Sequence, residues 1–357
     1  MTLQAFHLAH GAQLAPDGIP LQYGDLADEY HAALNRAVLM DRSHEGRLIL
    51  TGRDRLALPH RISTHDVESL PVGAGRPTLF TNPNARILDR AVIFNLGERV
   101  LALAEPGRGP ALMAYVQRNV FFNDDLKLHD LAGETHAFAL HGPAVSAIMG
   151  RLHPALADLH LLHAASLDLD GVPLIAACVP PVSINAWVVI VPQSHSDKII
   201  TALLSAGAAD GLRLAGSLTY NLLRIRAGRP GVGRELSADY IPLEIGLWDE
   251  VSFTKGCYTG QEIIARMESR QRLARTIVRL RLTKAVTAPA DLKSGERSIG
   301  SLTSSVTTPD GQHLGIGVVR LAYAQPGSVL DADSAQATII DLAGVQPPSL
   351  REETDDG

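Results

Sequence analysis

The sequence predicts an α+β protein: two modules of the split-βαβ type followed by a small all-β domain. Three observations carry that expectation. Helix-period and strand-period segments interleave, and neighbouring strands are often joined as hairpins. A related order of elements recurs from His136 onward, without a sequence repeat. From Leu280 the texture changes to strands punctuated by Pro-Asp-Gly and Gln-Pro-Gly turns.

Taken in order, the opening segment to Ile19 reads as irregular. DLADEYHAALNR (25–36) fits a helix with Leu26, Tyr30, Ala33 and Leu34 on one face. RLILTG (47–52) reads as a strand and DRLALPHRIS (54–63) as a helix. Residues 73–105 read as a β-meander broken at Asn82-Pro83-Asn84 and Leu96-Gly97-Glu98, with a helix at 109–122. The second round places a strand at 136–142, a helix at 143–153, strands at 166–177 and 186–192, and a helix from Ser196 to Ala206. TKAVTAPADLKSGERSIG (283–300) is polar and linker-like. The expected domains are 20–130, 131–279 and 280–344, with 345–357 as a disordered acidic tail.

With 46% hydrophobic residues the chain of 357 has enough apolar surface for a sizeable core. A net charge of −6 gives no basic footprint for nucleic acid. The two cysteines, Cys178 and Cys257, cannot form a disulfide framework and fit a reducing compartment. The start MTLQAFHLAH lacks the pattern of a signal peptide. The most apolar run, 172–192, is interrupted by Pro180, Pro181 and Asn185, whereas a membrane span needs about 20 uninterrupted apolar residues. A soluble cytoplasmic protein without membrane or nucleic-acid partners is expected, its oligomeric state left open by the sequence with a monomer favoured.

The stretch SFTKGCYTGQE (252–262) is dense in special residues. Thr259 and Glu262 have capping-box spacing ahead of a helical run, QEIIARMESRQ. A helix N-terminus and Lys255 would both favour a thiolate at Cys257. Gly256 and Gly260 permit a sharp turn and close backbone approach. These are the ingredients of an anion or ligand contact. The alternative is a tight turn with a small buried cysteine as filler.

Lys255, Gly256, Cys257, Tyr258, Gly260, Gln261 and Glu262, with Ala265 and Arg266 behind, resemble the K-G-C-Y-x-G-Q-E…A-R signature of YgfZ-type folate-binding proteins. These are relatives of the aminomethyltransferase (T-protein, GcvT) of the glycine cleavage system. LLRIRAGRPGVGREL (222–236), IPLEIGL (241–247), LHGP (140–143), LTGRD (50–54) and SSVTTPDGQHLGIGVVR (304–320) are similar to further family strings. PLQYGDLADEYHAALNRAVLMDRSH (20–44) resembles the T-protein's P-x-x-Y-x-x-x-x-x-E-x-x-A-x-R-x-x-x-x-x-D-x-S-H. The resemblance implies a three-domain ring of two ferredoxin-like modules and a C-terminal β-barrel, with folate in the central hole.

It also implies site residues. ILDRAVIF (87–94) matches the strand whose first aspartate is catalytic in the T-protein, here Asp89; the second acidic position is Arg90. Asp89 suits folate amines as acceptor or general base, and otherwise reads as a strand-end aspartate at a solvated turn. Arg224 and Arg226 suit the carboxylates of a folate tail, or else form a solvated face. Tyr220 stands where relatives carry an aromatic near folate, or else is core. Lys255, Tyr258, Gln261, Glu262 and Arg266 come from the signature. Trp187 walls the pocket or is structural.

Two departures are evident. Arg226 occupies the glutamate of the family's L-R-x-E, and VPPVSINAW (179–187) replaces the T-protein loop whose glutamate helps hold the pterin, with no acid. The second argues against transferase activity. The implied function is therefore tetrahydrofolate binding in support of iron–sulfur cluster assembly or repair, with Cys257 acting toward a cluster, a sulfur species or a partner thiol. One cysteine does not hold a cluster alone, since clusters need about four ligands. A tetrahydrofolate-dependent one-carbon transferase using Asp89 is the alternative, and a relative that has lost folate and serves only as a binding module is a third. His160 and His163 are three apart without a further ligand in metal spacing, so no metal site is expected. GRPGVG (228–233) lacks the lysine-serine ending of a P-loop.

Overall fold

The computed structural model describes residues 2–270 and 273–346. Contacts divide the chain into two units: Met1–Ile62, Asp66–Pro77 and Ala91–Leu223 form one, and Ser63–His65, Thr78–Arg90 and Arg224–Gly357 the other.

The first unit is built on two sheets. The six-stranded sheet has the order Ala164–Leu169, Val172–Cys178, Ala186–Pro192, Thr135–His141, Val38–Asp41, Arg213–Leu214; only the last pair is parallel. The strand Ala186–Pro192 shows why both faces are apolar. Trp187, Val189 and Val191 join a core with Ile148, Ile199 and Leu203 of the helices Val145–Leu152 and Ser196–Gly207. Val188 and Ile190, on the other face of the pleat, join Ile49, Val92, Phe94 and Leu101 of the five-stranded sheet. That sheet runs Gly75–Thr81, Ile87–Asn95, Arg99–Pro106, Glu45–Thr51, Lys127–Asp130; residues 78–81 and 87–90 of its first two strands are counted with the second unit.

A buried polar knot holds the N-terminal part of this unit. Glu29 is fully buried and accepts from Tyr23 N, from Gly216 N (2.9 Å) and from Thr219 Oγ1 (2.7 Å). His7 bridges the Tyr23 hydroxyl (2.6 Å) and Asp41 Oδ2 (2.9 Å), while Asp41 Oδ1 accepts from Ser43 N (2.8 Å). Burial pushes the Asp41 carboxyl up, but the hydrogen bonds from His7 and Ser43 outweigh it and leave it below the ordinary range. Tyr23, Glu29, Asp41 and Ser43, conspicuous as motif residues, thus hold one another in place.

His7 also explains a correction. The opening is not irregular: Leu3–Ala9 is a helix capped by Thr2, followed by the paired strands Gln13–Leu14 and Pro20–Gln22. Seven residues are too few for a periodicity signal, and the helix is anchored through buried Leu3 and His7 instead.

The second unit contains a closed barrel of six strands: Arg275–Leu282, His313–Arg320, Arg297–Thr307, Ala290–Ser294, Val329–Ala332, Ala335–Leu342. Val278, Leu280, Leu292, Leu302 and Ile339 fill it. Residues 283–300 are not a linker. They contribute one strand and begin another, because Leu292 and Ile299 point inward between exposed Asp291, Lys293 and Ser298. Only Leu292 and Ile299 are buried apolar side chains between residues 290 and 300, which leaves the segment polar in composition. A further core of Leu79, Ile87, Tyr240, Leu243, Trp248, Tyr258 and Ile264 lies beside the barrel residues Ile277 and Ile316. The α+β body and the C-terminal barrel are those the sequence predicts. The acidic-tail expectation for 345–357 lies, beyond Gln346, outside the described residues. No helix among them is long and apolar enough to cross a membrane.

The histidines of the first unit make its stability pH-dependent. Burial, and after it the Arg42 charge, push the His44 imidazole below its ordinary 6.5, and His136 is lowered chiefly by burial. The unfolded chain then binds protons near pH 6.5 that the folded unit refuses. Stability is full above that pH and falls as pH drops through it, by at most about 1.4 kcal/mol per pH unit for each group. His44→Gln is expected to make the decline between pH 7.5 and 5.5 shallower in urea melts; an unchanged slope would contradict this origin.

Candidate functional site

The site is built on the hairpin residues 78–90 of the second unit and the loop that follows Glu250. Asp89 lies on the strand Ile87–Asn95 and is 6% exposed, which removes the reading as a solvated turn aspartate. Its neighbour Arg90 is equally buried and grips Glu250 bidentately. Nε donates to both carboxylate oxygens (3.0 and 2.7 Å) and Nη2 to Oε1 (2.6 Å). The backbone of Glu250 is held as well, its carbonyl accepting from Thr64 Oγ1 (2.7 Å).

The residues after Glu250 are tied to the short segment Ser63–His65. Ser252 N donates to Thr64 O (2.9 Å), and Ser252 Oγ accepts from Lys255 N (3.2 Å). The Lys255 ammonium turns back to the carbonyls of Ser63 (2.7 Å) and His65 (3.2 Å) and lies 5.2 Å from the Tyr258 ring centroid. Thr64 is itself paired with Leu79: its N–H donates to Leu79 O (2.9 Å), and Leu79 N donates to its hydroxyl (3.0 Å).

Beyond the thiol, Tyr258 is buried in the core, and burial raises its phenol well above the ordinary value. Thr81 Oγ1 donates to Thr259 O (2.5 Å). Gly260 has φ +86°, and a Cβ there would stand 2.8 Å from Ala85 Cα and from Asn82 O. The helix therefore begins at Gln261, with Gly260 and not Thr259 ahead of it, and the Thr-x-x-Glu capping box is not the start signal. Only glycine combines that φ with that approach to the hairpin turn.

Between these anchors Cys257 is exposed, so it is not filler; Cys178 is the buried cysteine. Gln261 Nε2 donates to Lys255 O (3.4 Å), whereas Glu262 and Arg266 are exposed on the helix Gln261–Arg270. Arg224 is not a solvated arginine. Its Nη2 donates to Ser304 Oγ (3.1 Å) and its Nη1 lies 3.5 Å from fully buried Glu235. Arg226 is exposed. Tyr220 belongs to the first unit, half-buried, with the Arg42 guanidinium 3.8 Å over its ring and His141 at its edge. Trp187 is 1% exposed in the core against the helices, and in the loop before it Ser183 Oγ donates to Ala33 O (2.9 Å). That loop carries structural bonds in place of an acid.

Sequence reasoning singled out Asp89, Lys255, Cys257 and Tyr258, which the second unit holds on one hydrogen-bonded framework. It missed Glu250 and Thr64. Glu250 sits in an aperiodic turn 160 positions from its partner, and no local signal reveals it. Among the described residues, no group of three or more His, Cys, Asp or Glu is placed to hold a metal.

Comparison with known proteins is consistent with this architecture. The family model of the GCVT N-terminal domain matches residues 3–255. A chloroplastic "putative transferase" of Arabidopsis thaliana is 29% identical, over 95% of this chain and 79% of its own. An aminomethyltransferase of Streptomyces avermitilis is also 29% identical, over 91% and 90%. The crystal structure of glycine cleavage system aminomethyltransferase T from Bartonella henselae superposes with a TM-score of 0.84, covering 96% of each chain at 21% identity; that likeness concerns the fold.

The two loop glycines provide a paired test. Gly260→Ala is expected to cost about 2–4 kcal/mol in urea melts, from left-handed strain and the clash with the hairpin turn. Gly256→Ala, with open space at its Cβ, should stay within about 0.5 kcal/mol of wild type. Equal melts for the two variants would mean that the loop is not held at Gly260.

Proposed function

The chain belongs to the family of the GCVT N-terminal domain, and on that premise we propose that it is a tetrahydrofolate-binding protein of the YgfZ type that supports iron–sulfur cluster assembly or repair. The observation that carries the reading is the exposed Cys257 on a loop anchored on both sides, by Lys255 and by Gly260. A filler cysteine would be buried, and an unselected surface thiol would not need so fixed a backbone.

The residues present fit folate at its amine-bearing ring. Tetrahydrofolate, when bound, supplies ring amines that carry one-carbon units. A carboxylate 6% exposed, as Asp89 is, offers the acceptor those amines need and gains strength from burial. Arg224 would meet the tail carboxylates in exchange for part of its contact with Glu235 and Ser304. Cys257 serves a different partner, a cluster, a sulfur species or a thiol of a client protein, with the remaining ligands coming from that partner.

A second reading, one-carbon transfer by Asp89, is favoured by the burial of that carboxylate. It is opposed by the acid-free 179–187 loop and by Arg90, whose charge is taken up by Glu250.

The reading is tested in cells lacking the protein, by assaying a [4Fe–4S] dehydratase after complementation. Cys257→Ala is expected to fail to restore the enzyme while the purified variant still binds tetrahydrofolate. Full restoration by Cys257→Ala would overturn the accessory role, and aminomethyl transfer from a lipoyl donor that is lost in Asp89→Asn would establish the second reading in its place.

A further inference from the structure

We infer that Arg90 and Glu250 are positioning residues for the Cys257 loop, a step that deepens the proposed function and rests on it. The loop leaves the hairpin residues 78–90 at one end and returns to them at the other. At the first end the Arg90 guanidinium clamps the Glu250 carboxylate. At the second, Thr81 Oγ1 donates to Thr259 O, and Gly260 packs on Asn82 and Ala85. Between them Thr64, hydrogen-bonded to Leu79 of the same hairpin, takes Ser252, and Lys255 takes Ser63 and His65. Asp89 is on that hairpin, next to Arg90. The thiol and the carboxylate are therefore carried by one clamped frame.

The chemistry of the pair supports this role over a purely stabilising one. A buried ion pair is a poor source of net stability, because desolvating both groups consumes most of what their attraction returns. Its best-attested use is to fix one arrangement among several, since any other arrangement leaves a buried charge alone. Arg90 and Glu250 are 6% and 4% exposed, and the fork geometry accepts only one register of the loop on the strand.

The test is the alkylation rate of Cys257 by iodoacetamide, followed by peptide mass spectrometry across pH 6 to 10, with buried Cys178 as internal reference. Glu250→Gln is expected to change the rate at Cys257 by about three-fold or more and to shift its pH profile. The charge swap, Arg90→Glu with Glu250→Arg, is expected to bring both back toward wild type. Asp341→Asn, which breaks the outer pair with Arg279 in the same unit, should leave them unchanged. The inference is overturned if Glu250→Gln behaves as wild type, if the swap does not recover, or if Asp341→Asn has the same effect. Should Glu250→Gln not fold, Arg90→Lys, which keeps the charge and loses the fork, decides by the same criterion. No folate is present in the assay, so failure of folate binding appears in a titration and leaves this readout standing.

Discussion

A guanidinium and a carboxylate taken together out of water can be neither separated nor rearranged cheaply. Removing one partner of such a pair typically costs about 3–5 kcal/mol, because the other is left charged and dry. In the second unit Arg90 and Glu250 impose that constraint on a loop that has little regular structure of its own. Everything between Glu250 and Gln261 is arranged around it: the Thr64 bridge, the Lys255 turn onto two carbonyls, the buried Tyr258 ring and the close approach of Gly260. Cys257 is exposed on that loop, along with Phe253, Thr254 and Thr259, and is its thiol.

The first unit solves a similar problem with hydrogen bonds. Glu29 is a fully buried carboxylate whose three donors come from Tyr23, Gly216 and Thr219. His7 links Tyr23 to Asp41 and so fastens the N-terminal helix to the sheet. Such networks are stabilising only when complete, which explains why motif residues far apart in sequence belong to one knot. It also assigns Glu29 and Asp41 to architecture, and leaves Asp89 as the buried acid that stands where the resemblance implies chemistry.

Much of the fold was legible because it is written in periodicity. The short unbroken apolar run of Trp187, Val188, Val189 and Ile190 marks a strand buried on both faces, and the spacing of Leu26, Tyr30, Ala33 and Leu34 marks the helix Leu26–Asn35. Illegible parts lack that kind of signal. The helix Leu3–Ala9 is two turns long and held by a histidine, and the strand Ala290–Ser294 buries one leucine among charges. For the site, the signature exposed Cys257, Lys255 and Tyr258, because glycines, a cation and a thiol in eleven residues are an uncommon composition. Glu250 and Thr64 were hidden, since their roles arise from tertiary pairing with residues far away in the chain. Thr259 looked like a cap by spacing, but the left-handed Gly260 decides where the helix starts.

The most direct measurement is calorimetric titration of the purified protein with tetrahydrofolate, with Asp89→Asn and Cys257→Ala beside the wild type. The account predicts saturable binding, weakened about ten-fold or more by Asp89→Asn, which removes one charged acceptor, and unchanged by Cys257→Ala. An absence of saturable heat in the wild type, or equal affinity in Asp89→Asn, would contradict it.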